Sequence, residues 1–125
     1  MAYATAYDVV VRWGKAEVEP EIEALISVRL EDVERLIRRR IPDLDTKADA
    51  DDDYAADVIQ VESDAVLRLA RNPEGYLSET DGNYTYMLRQ ELSTGELEIT
   101  AKEWNTLGVS KSGMFIIVPN SVMPT

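Results

Sequence analysis

Apolar residues recur at helical spacing along the first part of the chain and change rhythm later. Thr5 is placed to cap a short first helix, with Val9, Val10 and Trp13 on one side and Gly14 as its stop. A second helix is expected from Glu19-Pro20, because proline suits a first turn and Glu19, Glu21 and Glu23 favour the positive end of the macrodipole. Ile22, Leu25, Ile26, Leu30, Val33, Leu36, Ile37 and Ile41 follow in steps that build one apolar face. Arg38, Arg39 and Arg40 sit at the negative end, and Pro42 terminates the helix. Asp43 to Asp53 reads as a polar connection. A third helix begins near Asp51–Asp53, with Tyr54, Val58, Val61, Ala65 and Leu69 as its stripe and Val66 and Leu67 broadening it. Asn72-Pro73-Glu74-Gly75 ends it. Two long helices in succession predict an antiparallel pair.

Past that point the pattern predicts β-structure. Thr80-Asp81-Gly82-Asn83 carries the Asp-Gly hairpin signal, and Tyr84 to Leu88 is rich in aromatic and branched residues. Ser93-Thr94-Gly95 reads as a second turn and Leu97-Glu98-Ile99 as a short strand. Thr100 and Glu103 have the spacing of a capping box, opening a short helix with Trp104 and Leu107 that stops at Gly108. Met114 to Val118 is a continuous apolar run ended by Pro119. The expected fold is therefore mostly α with a small β region. It is one domain over residues 1–125, an antiparallel helical bundle at about 5–72 joined to a C-terminal β-hairpin and strands at about 76–118. A chain of 125 residues suits a single core.

Composition narrows the chemistry. The chain has no Cys and no His, which removes disulfides, thiolate nucleophiles, thiolate metal sites and serine–histidine or cysteine–histidine hydrolases. Thirteen basic and 24 acidic side chains give a net charge of −11, which opposes nucleic-acid reading. No apolar run reaches the roughly 20 residues of a membrane span, and the start shows no secretory pattern. Positive charge is concentrated in residues 1–41, and negative charge is densest in residues 42–72.

Four features are candidates for function. The run Asp43, Asp45, Asp49, Asp51, Asp52 and Asp53 invites a calcium reading. Started at Asp51, a calcium loop finds Glu62 at its twelfth position but Ala56 where glycine is needed; started at Asp49 it finds Tyr54 and Gln60. A solvated acidic segment fits better, and no metal, cofactor or phosphate loop is expected. The carboxylates carry no catalytic motif, so no enzyme is expected. Arg35, Arg38, Arg39 and Arg40, with Arg29, form the basic cluster. It complements the helix dipole or contacts an acidic partner surface, since successive residues diverge by about 100° and cannot serve one ion pair. Met114, Phe115, Ile116, Ile117 and Val118 form either a last core strand or a strand that pairs with another chain.

Several stretches resemble a known family. Tyr3-Ala4-Thr5-Ala6 with Val10 to Gly14, Arg29 to Leu44, Val61 to Arg68, Arg71 to Tyr76 and Ser78 to Tyr86 look like the head–tail connector (adaptor) proteins of phages infecting actinobacteria. That resemblance implies a virion protein at the neck, made in the host cytoplasm. Copies would form a ring, usually of twelve, joining the portal protein to the next neck or tail-completion protein. DNA would pass through the channel without specific binding, with no cofactor, catalysis or membrane involved. It also implies that Met114 to Val118 is the portal-docking segment. The six aspartates are then candidates for an acidic lumen, and Arg35 and Arg38 to Arg40 for the subunit interface. The alternative is a small acidic regulator or DNA mimic that occupies a basic partner.

Overall fold

The computed structural model describes residues 2–16, 18–71 and 81–109. These residues form six helices: α1 (Ala6–Trp13), α2 (Pro20–Arg40), α3 (Leu44–Ala50), α4 (Asp52–Arg71), α5 (Asp81–Thr94) and α6 (Ala101–Thr106).

Helix α4 is the centre of the bundle and packs against α1, α2, α3 and α5. Its buried positions include Val61, Glu62, Ser63, Ala65, Val66 and Leu67, which run almost all the way round the helix. A helix of that kind needs neighbours on every side, and it has them. Helix α2 buries a single stripe of Ile22, Ile26, Leu30, Val33 and Ile37, leaving Glu21, Ser27, Glu31 and Arg35 in solvent. Each large aliphatic side chain sealed this way contributes about 1.5–3 kcal/mol. The two helices are antiparallel, as their pattern predicts. Arg29 and Leu69 both reach Gly95, whereas Glu34, further along α2, meets Glu62, further back along α4.

The helix ends follow the local chemistry. The Thr5 hydroxyl accepts the Asp8 N–H at 3.4 Å, and the Asp8 carboxylate accepts the Thr5 N–H at 2.8 Å. Gly14 stops α1 at φ 87, a left-handed conformation that favours glycine. Pro20 opens α2 in its first turn. The capping box of α6 is closed in both directions, Thr100 N–H to Glu103 Oε1 at 3.0 Å and Glu103 N–H to Thr100 Oγ1 at 3.1 Å. Gly108 follows at φ 89.

Two expectations are overturned. The connection at 43–53 is not a loop: it contains α3, whose Leu44 and Ala48 are buried at helical spacing. More substantially, the C-terminal β-hairpin and strands are absent among the described residues. Asp81-Gly82 lies within α5 and not at a hairpin turn. Residues 84–88 are helical because the segment packs lengthwise on α2 and α4. Leu88 and Leu92, one turn apart, are both buried there. Tertiary burial thus overrides the β preference of the aromatic and branched residues. Ser93-Thr94-Gly95 is the end of that helix, with Gly95 N–H bonded to the Glu91 carbonyl at 2.7 Å. Leu97 to Ile99 has no regular secondary structure and pairs with no strand among the described residues. The stop at Asn72–Gly75 and the run Met114 to Val118 lie outside the described residues.

Candidate functional site

The densest polar network joins the N-terminal segment to α2, α3 and α4. Two glutamates on the facing sides of α2 and α4 are sealed from solvent, Glu34 at 3% exposure and Glu62 at 0%. Consecutive residues bind them: Tyr3 N–H donates to Glu34 Oε1 and Ala4 N–H to Glu62 Oε1, each at 2.8 Å. On its other oxygen Glu34 accepts the Arg38 Nε–H at 2.9 Å. Arg38 then forks onto Asp45 of α3 at 2.8 and 3.2 Å, and the Tyr3 hydroxyl donates to the same carboxylate at 2.5 Å. Residues 3, 34, 38, 45 and 62, remote in sequence, form one continuous clamp on the chain's start.

Its electrostatics follow from burial. Removal from water pushes the Glu62 carboxyl up to about 8, and the neighbouring Glu34 carboxyl adds to the rise, while the Ala4 N–H opposes it. Glu62 Oε2 has no donor among the described residues. Glu62 is therefore largely protonated at neutral pH. Asp45 moves the other way, down to about 2, because Arg38 and then Tyr3 hydrogen-bond its charged form. The same Asp45 bond holds the Tyr3 hydroxyl up to about 12.

The arginines singled out from sequence do not act as one patch. Arg38 belongs to the clamp. Arg35 pairs with Asp32 one turn away. The Arg40 guanidinium lies over the Trp104 ring, 4.8 Å from its centre. Arg39 is exposed and makes no ion pair among the described residues. The aspartates are also divided: Asp45 is held by Arg38, and Asp51 caps the Asp53 N–H at 3.0 Å. Asp43 at the start of α3, and Asp49, Asp52 and Asp53 around the α3–α4 turn, stand exposed and make no ion pair among the described residues. No group of three or more such carboxylates is arranged to hold a metal ion among the described residues. Nor is any described helix long and apolar enough to cross a membrane.

The chain matches the phage protein Gp19/Gp15/Gp42 family over residues 11–118. It is also 63% identical to the Gene 19 protein of Mycobacterium phage L5 and 64% identical to that of Mycobacterium phage D29, over the full length of both chains in each case. The chain belongs to this phage protein family. Within a Gp19/Gp15/Gp42 protein, the clamp is the feature that periodicity alone passes over. The signal for it is a carboxylate inside each apolar stripe. Glu62 is one turn from both Val58 and Val66, and Glu34 is one turn from both Leu30 and Ile37.

Proposed function

We propose that this chain is a structural protein of the virion neck, a ring-forming connector between the portal vertex and the tail. Segregated charge is the observation that supports this reading. In the described residues nearly every arginine is engaged within the chain, while Asp43, Asp49, Asp52 and Asp53 stand exposed and unpaired along α3 and the α3–α4 turn. Repeated around a ring, that segment gives an acidic surface. Facing the lumen, it would let DNA pass while forming few phosphate contacts to hold it. Arg39, at the C-terminal end of α2, is the arginine left to meet a neighbour's acidic end, a head-to-tail contact that can close. The work of the protein is then assembly, with many modest contacts summed over copies, the portal and the next neck protein. Met114 to Val118 remains the proposed portal-docking segment.

The test is electron microscopy of lysates from a phage with this gene disrupted. DNA-filled or leaking heads beside complete, unattached tails are the expected result. Normal infectious virions would remove the connector reading and favour the small acidic regulator.

A further inference from the structure

After α5 the chain turns at Gly95 and lays a strap, residues 95–109, along the α2/α4 pair. Four side chains of the pair hold it. Arg29 Nη2 donates to the Gly95 carbonyl at 2.7 Å, and Arg68 donates to the Glu98 carbonyl at 2.5 Å and to both Glu103 oxygens at 2.8 and 3.0 Å. Arg40 covers the Trp104 ring, and the Tyr54 hydroxyl donates to the Leu107 carbonyl at 2.9 Å. The seat therefore presents three arginines in a chain of net charge −11, and the strap brings Glu96, Glu98 and Glu103 to it. Burial contributes less: Leu107 is the one strap residue sealed from solvent, while Leu97, Ile99, Trp104 and Val109 are only partly covered. A cavity of about 280 Å³, lined by Ala65, Arg68, Leu69, Glu91, Glu96 and Glu98, separates the strap from α4 and α5.

We propose that this seat also takes the strap of a second copy, so that residues 96–109 are exchanged between neighbours in the assembled protein. The inference rests on the ring reading above. Every tether runs from a side chain of α2 or α4 to the strap, and none depends on both belonging to one chain. Exchange therefore keeps all of them, and only the hinge changes. The hinge is residues 96–99, which have no regular secondary structure and pair with no strand among the described residues, while Gly95 stays with α5, its carbonyl held by Arg29. Charge complementarity selects the occupant: an acidic segment with a carbonyl, a carboxylate and an indole in this order, which each copy supplies. Head-to-tail exchange around a closed ring leaves no seat empty.

The absence of cysteine makes a direct test possible. Glu91 remains with α5 and Glu98 travels with the strap, yet both line the same cavity, and neither carboxylate holds a tether. A Glu91→Cys/Glu98→Cys variant is treated with a short bismaleimide, as dilute protein, as protein concentrated to its solubility limit, and within phage particles. Dilute protein should give an internally linked monomer. Concentrated protein or particles should give a ladder of covalent oligomers on denaturing gels, lost when Arg68→Glu is added. Linked monomer alone in particles that contain the protein overturns the exchange and leaves the connector reading intact. Absence of the protein from particles overturns the connector reading, and the concentrated sample then decides exchange by itself: a ladder supports it and monomer refutes it.

Discussion

Glu62 should make the protein lose stability as pH rises from 5 to 8. Its carboxyl is fully enclosed and raised from 4.5 to about 8, chiefly by burial. A raised folded-state value means that the native chain binds a proton the unfolded chain releases. The group therefore costs nothing below about pH 4.5, and its penalty grows as pH climbs toward 8. With these two values the penalty is about 1 kcal/mol at pH 5 and about 3 kcal/mol at pH 7. For a domain of this size that corresponds to a fall in Tm on the order of 10 °C. No histidine or cysteine is present to titrate in the same window. The α-amino group does titrate there, but it is common to any variant compared. Glu62→Gln keeps the shape, accepts the Ala4 N–H through its amide oxygen and can donate to Glu34 through its amide nitrogen. It cannot ionise. Thermal and urea unfolding followed by far-ultraviolet circular dichroism at pH 5, 6, 7 and 8 should show a falling curve for the natural chain and a flat one for Glu62→Gln. The variant should be the more stable of the two at pH 8. Parallel curves, or a variant weaker at pH 8, would mean that Glu62 is charged in the native state and that the argument from burial is wrong.

Other substitutions probe separate parts of the structure. A Cβ at Gly95 would collide with the Glu91 carbonyl oxygen and lie 2.8 Å from Leu69 Cδ2, so Gly95→Ala should lower the urea midpoint by about 1–3 kcal/mol equivalent. An unchanged midpoint would show that the end of α5 accommodates a methyl group and refute the argument from close approach. Arg38→Glu removes the guanidinium from Glu34 and Asp45 and should destabilise by about 2–4 kcal/mol. Arg39→Glu should leave unfolding within about 0.5 kcal/mol of the natural chain while reducing incorporation into virions. Equal melting of the two variants would refute the division of roles between these neighbours.

Local signals were legible where chemistry and partner lie within one turn. Thr5, Gly14, Pro20, Thr100 and Gly108 mark helix ends by rules that need no tertiary context, and each occupies the position it implies. The Asp-Gly pair at 81–82 obeys an equally local rule, yet fails. The ten-residue stretch that follows carries two patterns at once: aromatic and branched residues that suit a strand, and Leu88 with Leu92 at helical spacing. Which pattern wins depends on the surface available, and α4 offers one because its buried positions extend well beyond a single stripe. Arg38 to Arg40 show the same division. That they point in different directions follows from about 100° per residue. That one reaches Asp45, one covers Trp104 and one stays in solvent depends on α3 and α6 arriving from elsewhere in the chain. The clamp needs still more: two helices in antiparallel register and a chain start placed between them. A lone carboxylate in an apolar stripe announces only that burial must be compensated. The compensation here comes from Tyr3 and Ala4, 31 and 58 residues away, so the pair ties the start of the chain to its central helix. Burial and the Glu34 carboxyl oppose ionisation of Glu62 while the Ala4 and Tyr3 N–H groups favour it, so opening of the N-terminal segment, which lets water reach the carboxyl, is the first rearrangement that rising pH should favour.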